Sequence, residues 1–201
     1  MEYTLNSGGF YLPHKTVRRI TMEKTITKQA VFIRELIMAG ILLVTGVLLP
    51  IGFHTFKLGG PVFLPMHIPV MLAGFMLNPL SACIVGFITP ILSTAFTGMP
   101  PFPVVMSQMA VELAAYAFFI AVFSQRLKLN SYVSLILGMI SGRLVCAILV
   151  FIFSLTVTGY KGTPVKFLIG SISKGWPGLL VQIVLIPFLV AWFKRIRLIE
   201  K

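Results

Sequence analysis

The sequence predicts an all-α membrane protein, a bundle of about six transmembrane helices with both termini in the cytoplasm. Three observations predict it. The chain of 201 residues is 57% hydrophobic and only 11% charged, with a mean hydropathy of +0.97, too little polar surface to cover a soluble domain of that size. Its apolar residues form long runs that do not alternate with period two, which favours helices over a barrel. Its cations gather at the ends of those runs, the distribution expected of membrane topology signals.

The elements follow in order. A polar, basic tail covers residues 1–30, with Lys15, Arg18, Arg19, Lys24 and Lys28. Its first part lacks periodicity and is expected to be flexible. Met22 opens a more typical start, MEKTITKQAVFIRE, and is an alternative initiator. The membrane domain covers residues 31–193. Its first segment, Val31 to Phe53, has no cleavage-site pattern after it and is read as a retained helix. The second runs from Leu64 to Leu77, and an Asn78-Pro79 turn leads into the third, Leu80 to Phe96. Crossing ~30 Å of hydrocarbon takes about 17–25 residues, so the second and third are short and are expected to pack inside the bundle or dip partway. The fourth spans Pro103 to Phe123, the fifth Tyr132 to Val157 and the sixth Pro177 to Phe193, followed by a basic tail over 194–201.

Cations in the N-terminal tail, in Gln125-Arg126-Leu127-Lys128 and in Lys194-Arg195-Ile196-Arg197 place these three regions on the cytoplasmic side. The opposite side receives three Gly- and Pro-rich connections, HTFKLGGPVFLPMH, TGMPPFP and TVTGYKGTPVKFLIGSISKGW, suited to loops that close over something. The net charge of +12 is a topology signal and not a nucleic-acid footprint, because basic residues interleaved with stacking aromatics are missing.

Two ionisable residues stand out. Glu112 is the only one of five acidic residues deep inside an apolar run, and Arg143 lies in the middle of the next run. Charges at bilayer depth are costly and are kept where they pair, line a polar cavity, or do both. Gln108, Glu112 and Tyr116 follow at i, i+4 and i+8, on one helical face. Gly138 and Gly142 allow a close helix approach beside Arg143, whose guanidinium fork suits Glu112 or an anionic ligand group equally. At the outer ends, His67 starts the second segment with no second His or carboxylate near it, which suits hydrogen bonding at a pocket mouth better than a metal. Trp176 is either an interfacial belt residue or a pocket wall, with Lys174 or Gln182 as polar contacts. Cys83 and Cys146 read as packed small residues.

Several chemistries lack their parts. The chain has no GxxxxGK[ST] loop, no GxSxG elbow or HExxH pair, and too few His residues for haem-ligating helices. No cofactor is expected.

The run LGGPVFLPMHIPVMLAGFMLNPLSACIVGFITPILSTAFTGMPPFPVVMSQMAVELAAY resembles the substrate-binding (S) components of energy-coupling factor (ECF) transporters, and KGWPGLLVQIVLIPFLV is similar to the same group. The resemblance covers Val31 to Phe193. It implies a non-catalytic subunit of an ABC importer in the cell membrane that captures a vitamin or related micronutrient outside and delivers it inward. Its implied partners are a transmembrane coupling protein and two ATPases. Carried onto this chain, the lid is His54 to Phe63, and the pocket is drawn from His67, Met99, Gln108, Glu112, Tyr116, Arg143, Lys174 and Trp176. Arg143 and Lys174 lean toward an anionic ligand such as pantothenate, while Glu112 and the aromatics suit a cationic or heteroaromatic one. The family docks through small residues of the first helix, often Ala-x-x-x-Ala. Here Ala39 is followed by Leu43, so the docking candidates are Ala39, Gly40 and Gly46. Two other readings stand beside transport: an assembly subunit with Glu112–Arg143 as a helix clamp, and an intramembrane enzyme using Glu112 or His67 as base.

Overall fold

In the computed structural model, which describes residues 3–5, 11–55, 60–157 and 162–196, the apolar runs are helices. The chain forms two compact units, Met1–Met38 and Ala39–Lys201. The first holds a short antiparallel pair, β1 (Tyr3–Leu5) and β2 (Tyr11–Pro13), with Thr4 opposite Leu12. Helix α1 (His14–Thr55) starts well ahead of Val31, because Lys, Arg, Glu and Met in that stretch are good helix formers without needing a bilayer. Its membrane-compatible part is Gln29–Phe53.

The second unit adds α2 (Gly60–Phe63), α3 (His67–Met76), α4 (Pro79–Thr97), α5 (Val104–Ala121), α6 (Ser131–Thr156) and α7 (Pro164–Arg195). Five helices among the described residues are long and apolar enough to cross a bilayer, and α3 is a shorter apolar one. The expectation of about six membrane helices corresponds to five helices of spanning length and a sixth, α3, of 10 residues. The third segment is not short as expected: α4 has 19 residues. Its start is where the sequence placed it. The Asn78 side-chain oxygen accepts from the backbone N–H groups of Leu80 and Ser81 at 3.0 Å each, and Pro79 occupies the first turn, where its missing N–H costs nothing.

A larger difference concerns α7. The sequence reading put the stretch up to Trp176 in an outer connection and began the helix at Pro177, yet residues 164–176 are already helical. The Thr163 hydroxyl accepts from the Lys166 N–H at 3.3 Å, and Pro164 sits in the first turn. That pair outcompetes Trp176-Pro177 as a start signal, and Pro177 and Pro187 lie inside the helix.

Helix α5 is central, packed on α3, α4 and α6. Alanines at 110, 114, 115, 117 and 121 are buried along it and let its neighbours approach closely. Among the described glycines, Gly86 of α4 comes nearest to backbone atoms of a neighbouring helix. A Cβ there would lie 2.5 Å from the Leu113 carbonyl oxygen, so the backbones are in contact.

Beyond α5 the chain makes one π-helical turn, Val122–Arg126. This turn aims Gln125 at the C-terminal end of α3. Its side-chain amide donates to the carbonyl oxygens of Leu77 at 2.6 Å and Gly74 at 3.2 Å, two of the carbonyls a helix end leaves without intrahelical partners. Gln125→Leu removes both bonds and is expected to cost about 1–3 kcal/mol. Thermal unfolding in detergent measures it, and an unchanged midpoint would show that solvent replaces the amide.

Candidate substrate site

The connection from α4 to α5 is shaped by hydroxyls. Gly98 ends α4 in the left-handed region at φ 71°, a conformation glycine adopts without a steric penalty. The chain is then held back onto the helix it has left. Ser93 Oγ donates to the Met99 carbonyl at 2.8 Å, and Thr94 Oγ1 donates to the Pro100 carbonyl at 2.7 Å. Thr97 Oγ1 donates to the Ser93 carbonyl at 2.7 Å and accepts from the Met99 N–H at 3.2 Å.

This pinned connection forms one wall of a cavity of about 590 Å³, inside the range of small-molecule sites. Pro50, Ile51 and Thr55 at the end of α1 form another wall, and Leu64 to His67 at the start of α3 a third. Ser93, Thr97 and the segment Met99 to Pro101 face them, with Val105 and Met109 of α5 beneath.

His67 links the cavity to the charged interior. It is 3% exposed, its backbone N–H donates to the Leu64 carbonyl at 3.0 Å, and its ring centroid lies 5.8 Å from that of Tyr116. Tyr116 is fully buried, and its hydroxyl donates to Glu112 Oε1. Arg143 Nε stands 3.9 Å from the same oxygen, an ion pair and not a hydrogen bond at that distance. Gly142 makes room for this layer, since a Cβ there would lie 2.1 Å from the Tyr116 ring. Cys146 Sγ, one turn on, donates to the Gln108 carbonyl at 3.5 Å.

The predicted site residues therefore divide. His67 and Met99 line the cavity. Glu112, Tyr116 and Arg143 form a buried layer behind His67, outside the cavity lining, and the backbone carbonyl of half-buried Gln108 accepts from Cys146. Lys174 and Trp176 are brought to neither group. Both are exposed on α7, Trp176 by 57%, because helical phase turns Gly175 and Gly178 inward instead. Among buried side-chain atoms without a hydrogen-bond partner are His67 Nδ1, Arg143 Nη1 and both polar atoms of Gln182. The described residues contain no group of three metal-ligating side chains. The lid expected over His54 to Phe63 falls partly outside the described residues, at 56–59; Gly60–Phe63 is helical.

The docking candidates also divide. Gly46 faces inward, where a Cβ would lie 2.7 Å from Thr89 Cγ2 and close to Pro69. Gly40 is exposed with nothing near a Cβ, and Ala39 is half-buried. The hydroxyls of Ser93, Thr94 and Thr97 and the apolar side chains of Val105 and Met109 were not singled out from sequence. Their signal was the 93, 94, 97 spacing, which puts three hydroxyls in the last turns before a Gly-Met-Pro-Pro bend.

Residues 34–190 match the family described as ECF transporter, substrate-specific component. The chain belongs to that family. Neither a curated protein nor a solved structure matches it. As an S component it is a membrane substrate-binding subunit of an ECF importer, working with an ECF module on a small-molecule substrate. S components are transport subunits and not enzymes.

Proposed function

We propose that this S component captures a vitamin or related micronutrient in the cavity between α1, α3 and the α4–α5 connection. The cavity itself carries the reading: about 590 Å³, walled by a hydroxyl-pinned segment, in a chain of this family. It opens toward the outer side of the cell membrane, and both termini lie in the cytoplasm, with the short α3 acting as a sixth crossing beside the five helices of spanning length. The cations after α5 and at the end of α7 support that orientation. A transmembrane coupling protein and two ATPases supply the energy for delivery inward. Met99 and His67 contact the ligand, and the layer of Glu112, Tyr116 and Arg143 fixes the position of His67 from behind. Gly40 and Ala39 are the docking candidates that an outside helix can reach.

The test is to purify the chain with and without its module and to identify the small molecule released on denaturation by mass spectrometry. Met109→Trp places an indole in the cavity floor. It is expected to weaken binding of that molecule by about tenfold or more through overpacking of the site, while co-isolation with the ATPases continues. Undiminished binding in Met109→Trp would place the site elsewhere.

A further inference from the structure

The cavity's chemistry narrows what it can hold. Among the described residues no charged side chain lines it, and its polar groups are Thr55, His67, Ser93 and Thr97. The three hydroxyl protons are already given to backbone carbonyls: Thr55 to Ile51 at 2.9 Å, Ser93 to Met99, and Thr97 to Ser93. What remains for a ligand is the lone pairs of those oxygens and the edge of the His67 ring that lines the cavity, its Nδ1 being buried without a partner. Met66, Met99 and Met109 dominate the rest of the wall with prolines and aliphatic side chains. Thioether sulfurs pack well against the edges of aromatic rings.

Behind the wall, Arg143 is already offset by Glu112. An anion drawn to the guanidinium would leave the buried layer with one uncompensated negative charge, and a cation drawn to the carboxylate would leave one positive. Either is heavily penalised in apolar surroundings. We propose that the site selects an uncharged, largely apolar, ring-bearing ligand with one hydrogen-bonding edge directed at His67, and discriminates against charged molecules of the same size. This rests on the cavity being the capture site. It reverses the lean toward an anionic ligand that Arg143 and Lys174 suggest in sequence, because neither lines the cavity.

Matched ring-bearing pairs differing in charge test this on the purified full chain in nanodiscs at neutral pH: riboflavin against flavin mononucleotide, and nicotinamide against nicotinate. In every pair that binds, the neutral member is expected to bind about tenfold tighter or more, as measured by equilibrium dialysis. Val105 is half-exposed on the wall, so Val105→Lys adds a cation there without burying it, and is expected to narrow that gap for the anions. A charged member that binds equally or more tightly would overturn the proposal, as would a gap that Val105→Lys leaves unchanged. A charged molecule released from the purified protein would overturn charge selection alone. If no pair binds and no small molecule is released, the capture reading fails and this inference fails with it.

Discussion

Glu112→Leu is expected to destabilise the bundle by about 3–5 kcal/mol, because it strands Arg143 in an apolar interior without its counter-charge. The Tyr116 hydroxyl loses its acceptor in the same step. Arg143→Met alone is expected to cost a similar amount by stranding the carboxylate. The double variant, Glu112→Leu with Arg143→Met, is expected to recover most of the loss, since two charges that no longer need burial remove their desolvation cost together. What stays lost is the Tyr116 bond, about 1–3 kcal/mol. Thermal unfolding of the four proteins in one detergent closes the cycle. Additive losses would mean that the ion pair at 3.9 Å contributes no coupling. Ligand affinity of the double variant then separates the roles. If the pair acts only by positioning His67, affinity falls modestly once folding is restored; if it contacts ligand directly, affinity is abolished.

The second large effect is expected at Gly86. A methyl group there meets the Leu113 carbonyl oxygen and carbon and the Ala114 nitrogen, all within 2.8 Å. These are backbone atoms of the central helix, so no side chain can rotate away. Gly86→Val forces α4 from α5 and is expected to cost at least about 3 kcal/mol, the upper end for overpacking in a well-packed interior. Gly170→Val is the matched control, since a Cβ at Gly170 has nothing within 4 Å. Folded yield after size-exclusion chromatography compares them. Equal yields would show that α4 and α5 can separate cheaply.

The helices were legible in sequence because apolar length is a property of each segment alone. Asn78-Pro79 marked the start of α4 for the same reason: a cap and its proline act within one turn. The start of α7 was misread because two local signals competed, Thr163-Pro164 and Trp176-Pro177, and periodicity does not rank them. The Glu112–Tyr116 bond was legible as a spacing of four along one helix, and Arg143 as a cation in the middle of the next apolar run. The cavity was legible only at His67 and Met99. It is assembled from the ends of α1, α3, α4 and α5, and its walls are ordinary Pro, Met and Val residues that carry no signal one at a time. Gln125 was hidden likewise, because its partners Gly74 and Leu77 lie about fifty residues away in sequence and the π-turn that aims it has no sequence signature. Trp176 carries two readings in sequence, interfacial belt or pocket wall, and helical phase leaves it exposed on α7, away from the cavity lining.

The hydroxyl bonds that hold Met99 and Pro100 to α4 also bear on how quickly a ligand is taken up and let go. A wall fixed before the ligand arrives costs little ordering when it does, so encounter requires no slow rearrangement on that side. Association rates for different ligands should then lie close together, and the ranking of their affinities should be read from residence times.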